Sequence, residues 1–95
     1  MPEYLLEFYA RHDDAGAAAD EGESARAAAE ELTRQGTAVH YQRLIFVPTE
    51  ETCFVLFEAE SAEAVRAAAT LAALPCGRIS AVHPQPPGPG GDIKD

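Results

Sequence analysis

The middle of the chain, residues 38–58, most constrains the fold, because it has the pattern of two β-strands joined by a tight acidic turn. Pro48 ends the first of these strands, since a proline has no N–H with which to continue a ladder. The second strand, residues 52–58, contains the run Cys-Phe-Val-Leu-Phe and is apolar on both of its faces. A small domain usually has helices for only one face of its sheet. A fold for this chain must therefore explain what covers the other face.

The segments before this hairpin predict one strand and one helix. Residues 3–10 are rich in aromatic and branched side chains that loosely alternate with polar ones, which predicts a first strand. A helix is predicted from Ser24 to Gly36, because alanines and a leucine recur there at helical spacing. Ser24 can cap its start, and Gly36 can adopt the left-handed conformation at its end. In the alanine-rich segment before it, Gly16 and Gly22 disfavour a continuous helix.

After the hairpin, the pattern predicts a second helix and a fourth strand. Ser61 is a suitable N-cap, and Pro75 with Gly77 ends the helix. Residues 77–83 predict the last strand. Residues 85–95 are dominated by proline and glycine, which predicts a disordered tail after a domain that spans residues 1–84.

The element order is strand, helix, strand, strand, helix, strand. With right-handed crossovers, this order gives a four-stranded antiparallel sheet in spatial order 4-1-3-2, with both helices on one face. We therefore predict an α+β fold, the ferredoxin-like βαββαβ sandwich.

Side-chain alternation along strands assigns each residue to one face of this sheet. The face expected under the helices is almost entirely apolar: Tyr4, Leu6, Phe8, Leu44, Phe46, Phe54, Leu56 and Val82. The face expected to lie open mixes apolar and polar side chains: Leu5, Glu7, Tyr9, Tyr41, Arg43, Ile45, Cys53, Val55, Phe57, Ile79, Ala81 and His83. An apolar patch of this size is unusual on a soluble monomer. We therefore predict a homodimer through the open sheet face.

Four residues of the open face are candidates for binding a small ligand: Glu7, Tyr9, Tyr41 and Arg43. They combine a carboxylate, two phenols and a guanidinium among apolar neighbours. The alternative is that Glu7 and Arg43 form a cross-sheet ion pair with a purely structural role. Both interpretations remain open from the sequence.

Composition excludes several classes of partner. The formal net charge is -9, and only seven lysines and arginines are present, so a nucleic-acid footprint is not expected. The same charge disfavours anionic membranes, and no apolar run is long enough to span a bilayer. Two cysteines without CxxC spacing and no signal peptide indicate a reduced, cytoplasmic protein.

A metal site is a further hypothesis at one edge of the sheet. The predicted topology brings His12, Cys53 and Cys76 to the same edge, and thiolate with imidazole suits nickel, zinc or copper. These residues lack the spacing of a known metal motif. The alternative is that both cysteines pack as small hydrophobic residues and that His12 is a solvated loop residue.

Three segments carry a resemblance to a known family: "MPEYLLEFYA", "AAEELTRQGTAVHYQRLIFVPTEETCFVLFEAESAEAV" and "GRIS". Together they resemble the small nickel-binding-protein-like domains, over residues 1 to about 83. The most specific element is "ETCFVLFEAESAEAV", which is similar to the third strand of that family and the helix start that follows it.

The resemblance implies a ferredoxin-like dimer and, as cofactor, nickel or another transition metal. Cys53 matches the cysteine of the family, whereas Glu7 stands where metal-binding relatives carry an Asp and His pair in the first strand. A second resemblance is to the dimeric α+β-barrel monooxygenases and isomerases, which use a cavity on the sheet face. In a cofactor-independent enzyme of that type, Arg43 would hold an anionic substrate, and Tyr9, Tyr41 or Glu7 would transfer protons.

Overall fold

The strands and helices occur in the predicted order in the structure, a computed structural model that describes residues 1–11, 13, 15–75 and 77–83. The predicted tail therefore lies outside the described residues, as do His12 and Cys76. The elements, numbered along the chain, are β1 (Glu3–Tyr9), α1 (Ala15–Arg34), β2 (Val39–Val47), a short 3-10 turn (Pro48–Glu50), β3 (Thr52–Ala59), α2 (Ala62–Leu71) and β4 (Arg78–Val82).

The sheet has the predicted topology. All three pairs of neighbouring strands are antiparallel, and the strand order is β2-β3-β1-β4. β3 and β1 are thus the central strands, and β2 and β4 are the edges. The ferredoxin-like α+β fold predicted from the element order is confirmed.

Both helices bury faces made largely of alanine. In α1, Ala25, Ala28 and Ala29 are buried, and in α2 the buried residues include Val65 and Ala68. Small side chains allow each helix axis to lie close to the sheet. Most of the large core side chains therefore come from the strands, and Val65 is the exception in α2.

The predicted start of α1 is wrong, because the helix begins at Ala15 and runs for 20 residues through both glycines. A glycine costs about 1 kcal/mol in a helix interior, which tertiary packing can outweigh. That packing is present, since Ala18 and Gly22 are buried. An added Cβ on Gly22 would lie 3.2 Å from the Tyr41 hydroxyl, so the glycine permits a close approach of α1 to β2.

Local hydrogen bonds define the helix ends. The Ser61 side chain accepts a hydrogen bond from the Ala64 N–H at 3.2 Å, which confirms the predicted N-cap of α2. α1 ends at Arg34, and Gly36, two residues later, has a φ of +101°, the left-handed conformation that was predicted for the helix end. α2 ends in the same way, but its left-handed residue is Ala73, with φ +59°. The Leu74 N–H closes that turn by donating to the Ala69 carbonyl.

The face assigned to β3 from the sequence is wrong. Cys53, Val55 and Phe57 are fully buried under the helices, whereas Phe54 and Leu56 lie on the other face and are only partly buried. The register agrees, because Val55 pairs with the buried residue Leu6 of β1. The face of β3 that the helices cover is therefore the one that was expected to lie open.

The faces of the two edge strands also differ in part from the prediction. In β2, a bulge between Tyr41 and Arg43 places Tyr41 on the helix side, whereas the residues after the bulge have the expected faces. In β4, Ile79 packs against the core, and Val82 lies on the parity opposite to it. Ala81 and His83 accordingly share the helix-side parity with Ile79 and not the open one.

Candidate functional site

The face of the sheet without helices is called the open face here. It consists of Glu3, Leu5, Glu7 and Tyr9 from β1, His40, Arg43, Ile45 and Val47 from β2, Thr52, Phe54, Leu56 and Glu58 from β3, and Arg78, Ser80 and Val82 from β4. Apolar side chains occupy its centre, and charged ones lie around them. Ile45 is 40% exposed and Tyr9 is 64% exposed, so large side chains of this face are open to solvent in the single chain.

The strand register arranges the centre of the open face in cross-strand rows. One row reads Arg43, Leu56, Leu5, Ser80, and the next reads Ile45, Phe54, Glu7, Arg78. Neighbouring residues within a row are separated by one strand spacing, about 5 Å. The two rows thus form an apolar patch with a guanidinium at each of two opposite corners.

Of the four predicted ligand-binding residues, the structure brings three to the open face: Glu7, Tyr9 and Arg43. Tyr41 is not among them, because the bulge turns it under α1. Arg43 is also separated from Glu7, since β3 lies between their strands and they belong to different rows. In the described part of the chain, no ion pair joins them, so the predicted cross-sheet ion pair is not formed.

Tyr41 has a structural environment. Its ring packs edge-on against Phe57, and its hydroxyl reaches the buried glycine of α1. Burial raises the pKa of the Tyr41 phenol above its ordinary value, and the nearby Glu23 carboxylate raises it further. Tyr41 therefore packs on the helix side of the sheet, away from Glu7, Tyr9 and Arg43.

A depression of about 390 Å³ lies at one end of the open face, where β1 ends and β4 begins. It contains two of the predicted residues, Glu7 and Tyr9, and adds Thr52 and Arg78, which were not predicted. The face of Arg78 could have been predicted from the sequence, because Arg78 shares a parity with the polar residue Ser80, and the apolar residue Ile79 has the other parity. We call this depression the rim pocket.

Gly77 shapes the rim pocket. An added Cβ at this position would lie 2.3 Å from the backbone oxygen of Glu7, a distance that no side chain can tolerate. β4 can therefore begin beside Glu7 only because residue 77 has no side chain. The pairing of Glu7 with Arg78 depends on this contact.

The residues described by the structure do not fit a nickel centre. Cys53, the one predicted ligand among them, is fully buried in the core, and desolvation raises the pKa of its thiol. Metal binding requires the thiolate, so burial opposes it. Within residues 1–11, 13, 15–75 and 77–83, no three His, Cys, Asp or Glu side chains form a group that could hold a metal ion.

The fold and the open face define a class of protein: a small ferredoxin-like α+β domain with an uncovered, partly apolar sheet face. Over residues 8–82, the chain matches the family described as "Nickel responsive protein SCO4226-like", and it belongs to that family. No curated protein and no solved structure matches the chain. In its described part, no helix is long and apolar enough to cross a membrane.

Proposed function

We propose that this member of the nickel-responsive family is a homodimeric binding protein that pairs two open faces and holds a small ligand between them. The observation that carries the proposal is the uncovered apolar centre formed by Leu5, Ile45, Phe54 and Leu56. Ile45 is exposed in the single chain, and the other three residues are only partly buried. Burial against a second copy would remove this apolar surface from water, which is favourable at about 25 cal/mol per Å².

The charged side chains around this centre support a ligand site in the dimer. Glu7 and Tyr9 line the rim pocket, and Arg43 lies across the apolar patch from them. A small ligand would contact the apolar centre and satisfy its polar groups at these three residues. Among the described residues, no group of side chains could hold nickel, so the proposed ligand site does not include a metal ion.

The experiment is a comparison of oligomeric state between the wild type and Phe54→Glu. Phe54 lies at the centre of the open face, so a buried carboxylate there would oppose pairing of two faces. Leu71→Glu is the matched control, because Leu71 is 52% exposed on α2, on the helix side of the molecule. The proposal expects Phe54→Glu to be monomeric and Leu71→Glu to keep the oligomeric state of the wild type.

A further inference from the structure

The arginines of this acidic chain differ in their surroundings. On the helix side, Arg26 forms ion pairs with Glu23 at 2.6 Å and Glu30 at 2.9 Å, and Arg34 pairs with Glu31. On the open face, Arg43 and Arg78 form no ion pair with any described residue. In a chain with 16 acidic and seven basic residues, both guanidiniums on this one face are thus available to an external anion.

The two guanidiniums are not equivalent. Arg78 lies directly opposite Glu7 in the register, so a carboxylate stands beside it. Arg43 lies opposite Leu56, and Ile45 follows it on the same face of β2. The electrostatic environment of Arg43 therefore favours an anion that also has an apolar part, whereas Glu7 opposes an anion at Arg78.

Resting on the ligand-binding function proposed above, we propose that the open face binds a soluble medium-chain carboxylate. The carboxylate is held by the Arg43 guanidinium, whose planar set of donors matches two carboxylate oxygens. The alkyl chain lies along the row across Leu56 and Leu5. Those two strand spacings measure about 10 Å, which suits a chain the length of octanoate.

The ligand is a free molecule and not a lipid in a membrane. The net charge of -9 repels an anionic bilayer, which presents many charges over a large area. A single small anion is affected much less, because salt screens charges beyond about 8 Å at physiological ionic strength. Glu58 lies diagonally across from Arg43 on the open face, and its carboxylate is paired with the N-terminal ammonium at 3.9 Å.

Calorimetric titration with octanoate tests the inference, with octan-1-ol as the neutral probe of the same length. Octanoate should bind the wild type more tightly than octan-1-ol. Arg43→Ala should weaken octanoate binding about tenfold or more, because a hydrogen-bonded ion pair is lost. Arg43→Lys should restore part of that loss. Arg34→Ala is the matched control, because Arg34 lies on the helix side, where it pairs with Glu31, and its removal should change the affinity by less than about threefold.

Several results would overturn the inference: equal affinity for octanoate and octan-1-ol, equal losses in both arginine variants, or binding only to vesicles of phosphatidylglycerol. The dimer is measured separately, by light scattering without octanoate. A dimer that does not bind octanoate overturns this inference alone. A monomer that binds octanoate through Arg43 supports it and overturns the proposed dimer.

Discussion

Tyr41 packs its ring edge-on against Phe57 on the helix side of the sheet, with ring centroids 6.4 Å apart and ring planes at 78°. This contact exists because the bulge after Tyr41 changes the face on which the residue lies. The Tyr41 hydroxyl consequently fills the space that a side chain on Gly22 would need. The side chain of Tyr41 thus connects the β2 bulge to α1 and to the core.

That coupling predicts a non-additive pair of substitutions. Gly22→Ala gains helix propensity but brings a methyl group within 3.2 Å of the Tyr41 hydroxyl. In a Tyr41→Phe background this oxygen is absent, so Gly22→Ala should be more favourable there by about 1 kcal/mol. Urea unfolding of the four proteins in the cycle measures the difference. Gly16→Ala is the control, because nothing lies within 4 Å of its Cβ, and its effect should not depend on residue 41.

Gly77→Ala should destabilise the fold. The added methyl group would overlap the backbone of Glu7, which cannot move without disturbing the pairing of β1 with β4. We expect a loss of about 1–3 kcal/mol in the free energy of unfolding, the usual range for overpacking. Equal stability of Gly77→Ala and wild type in chemical denaturation would contradict the close approach at the rim pocket.

Ala73→Gly should stabilise the protein. Ala73 has φ +59°, a left-handed conformation that costs an L-residue about 1–2 kcal/mol. Glycine removes this cost but makes the unfolded chain more flexible, so the net gain should be about 0.5 kcal/mol. Ala72, one residue earlier, has a right-handed conformation that does not need glycine. Ala72→Gly should therefore lower the midpoint of thermal unfolding. If both substitutions lower it, the assigned end of α2 is incorrect.

The burial of Cys53 predicts the outcome of a nickel titration. Its thiol is enclosed in the core and its pKa is raised, so it should remain protonated and make no contribution to binding nickel. Calorimetric isotherms of the wild type and Cys53→Ala with nickel should therefore be the same. Circular dichroism confirms that the variant is folded. A weaker isotherm for the folded variant would show that Cys53 is a ligand.

The element order and the α2 cap could be predicted from the sequence, because both depend on local patterns. The strand order then followed from the element order with right-handed crossovers. The face of β3 was predicted wrongly because both of its faces are apolar in the middle. Its ends carry the missing information: Thr52 and Glu58 share a parity with Phe54 and Leu56, and polar ends indicate the open face. In β4, the polar residues Arg78 and Ser80 likewise indicate which face of the strand lies open.

Other features of the site depend on tertiary structure. No local pattern marks the bulge that removes Tyr41 from the open face, and the packing of Gly22 that extends α1 is visible only when both elements are placed. The position of Glu7 and Tyr9 beside each other could be predicted from alternation alone. The addition of Arg78 to their pocket required the correct register of β4.

The molar mass of the wild-type chain in solution tests the central proposal most directly. Light scattering across a dilution series, without added ligand, should give twice the 10.1 kDa of the chain at high concentration. The mass should fall only when dilution separates the subunits. A mass of 10.1 kDa at every concentration would contradict the proposal that a second copy covers the open face.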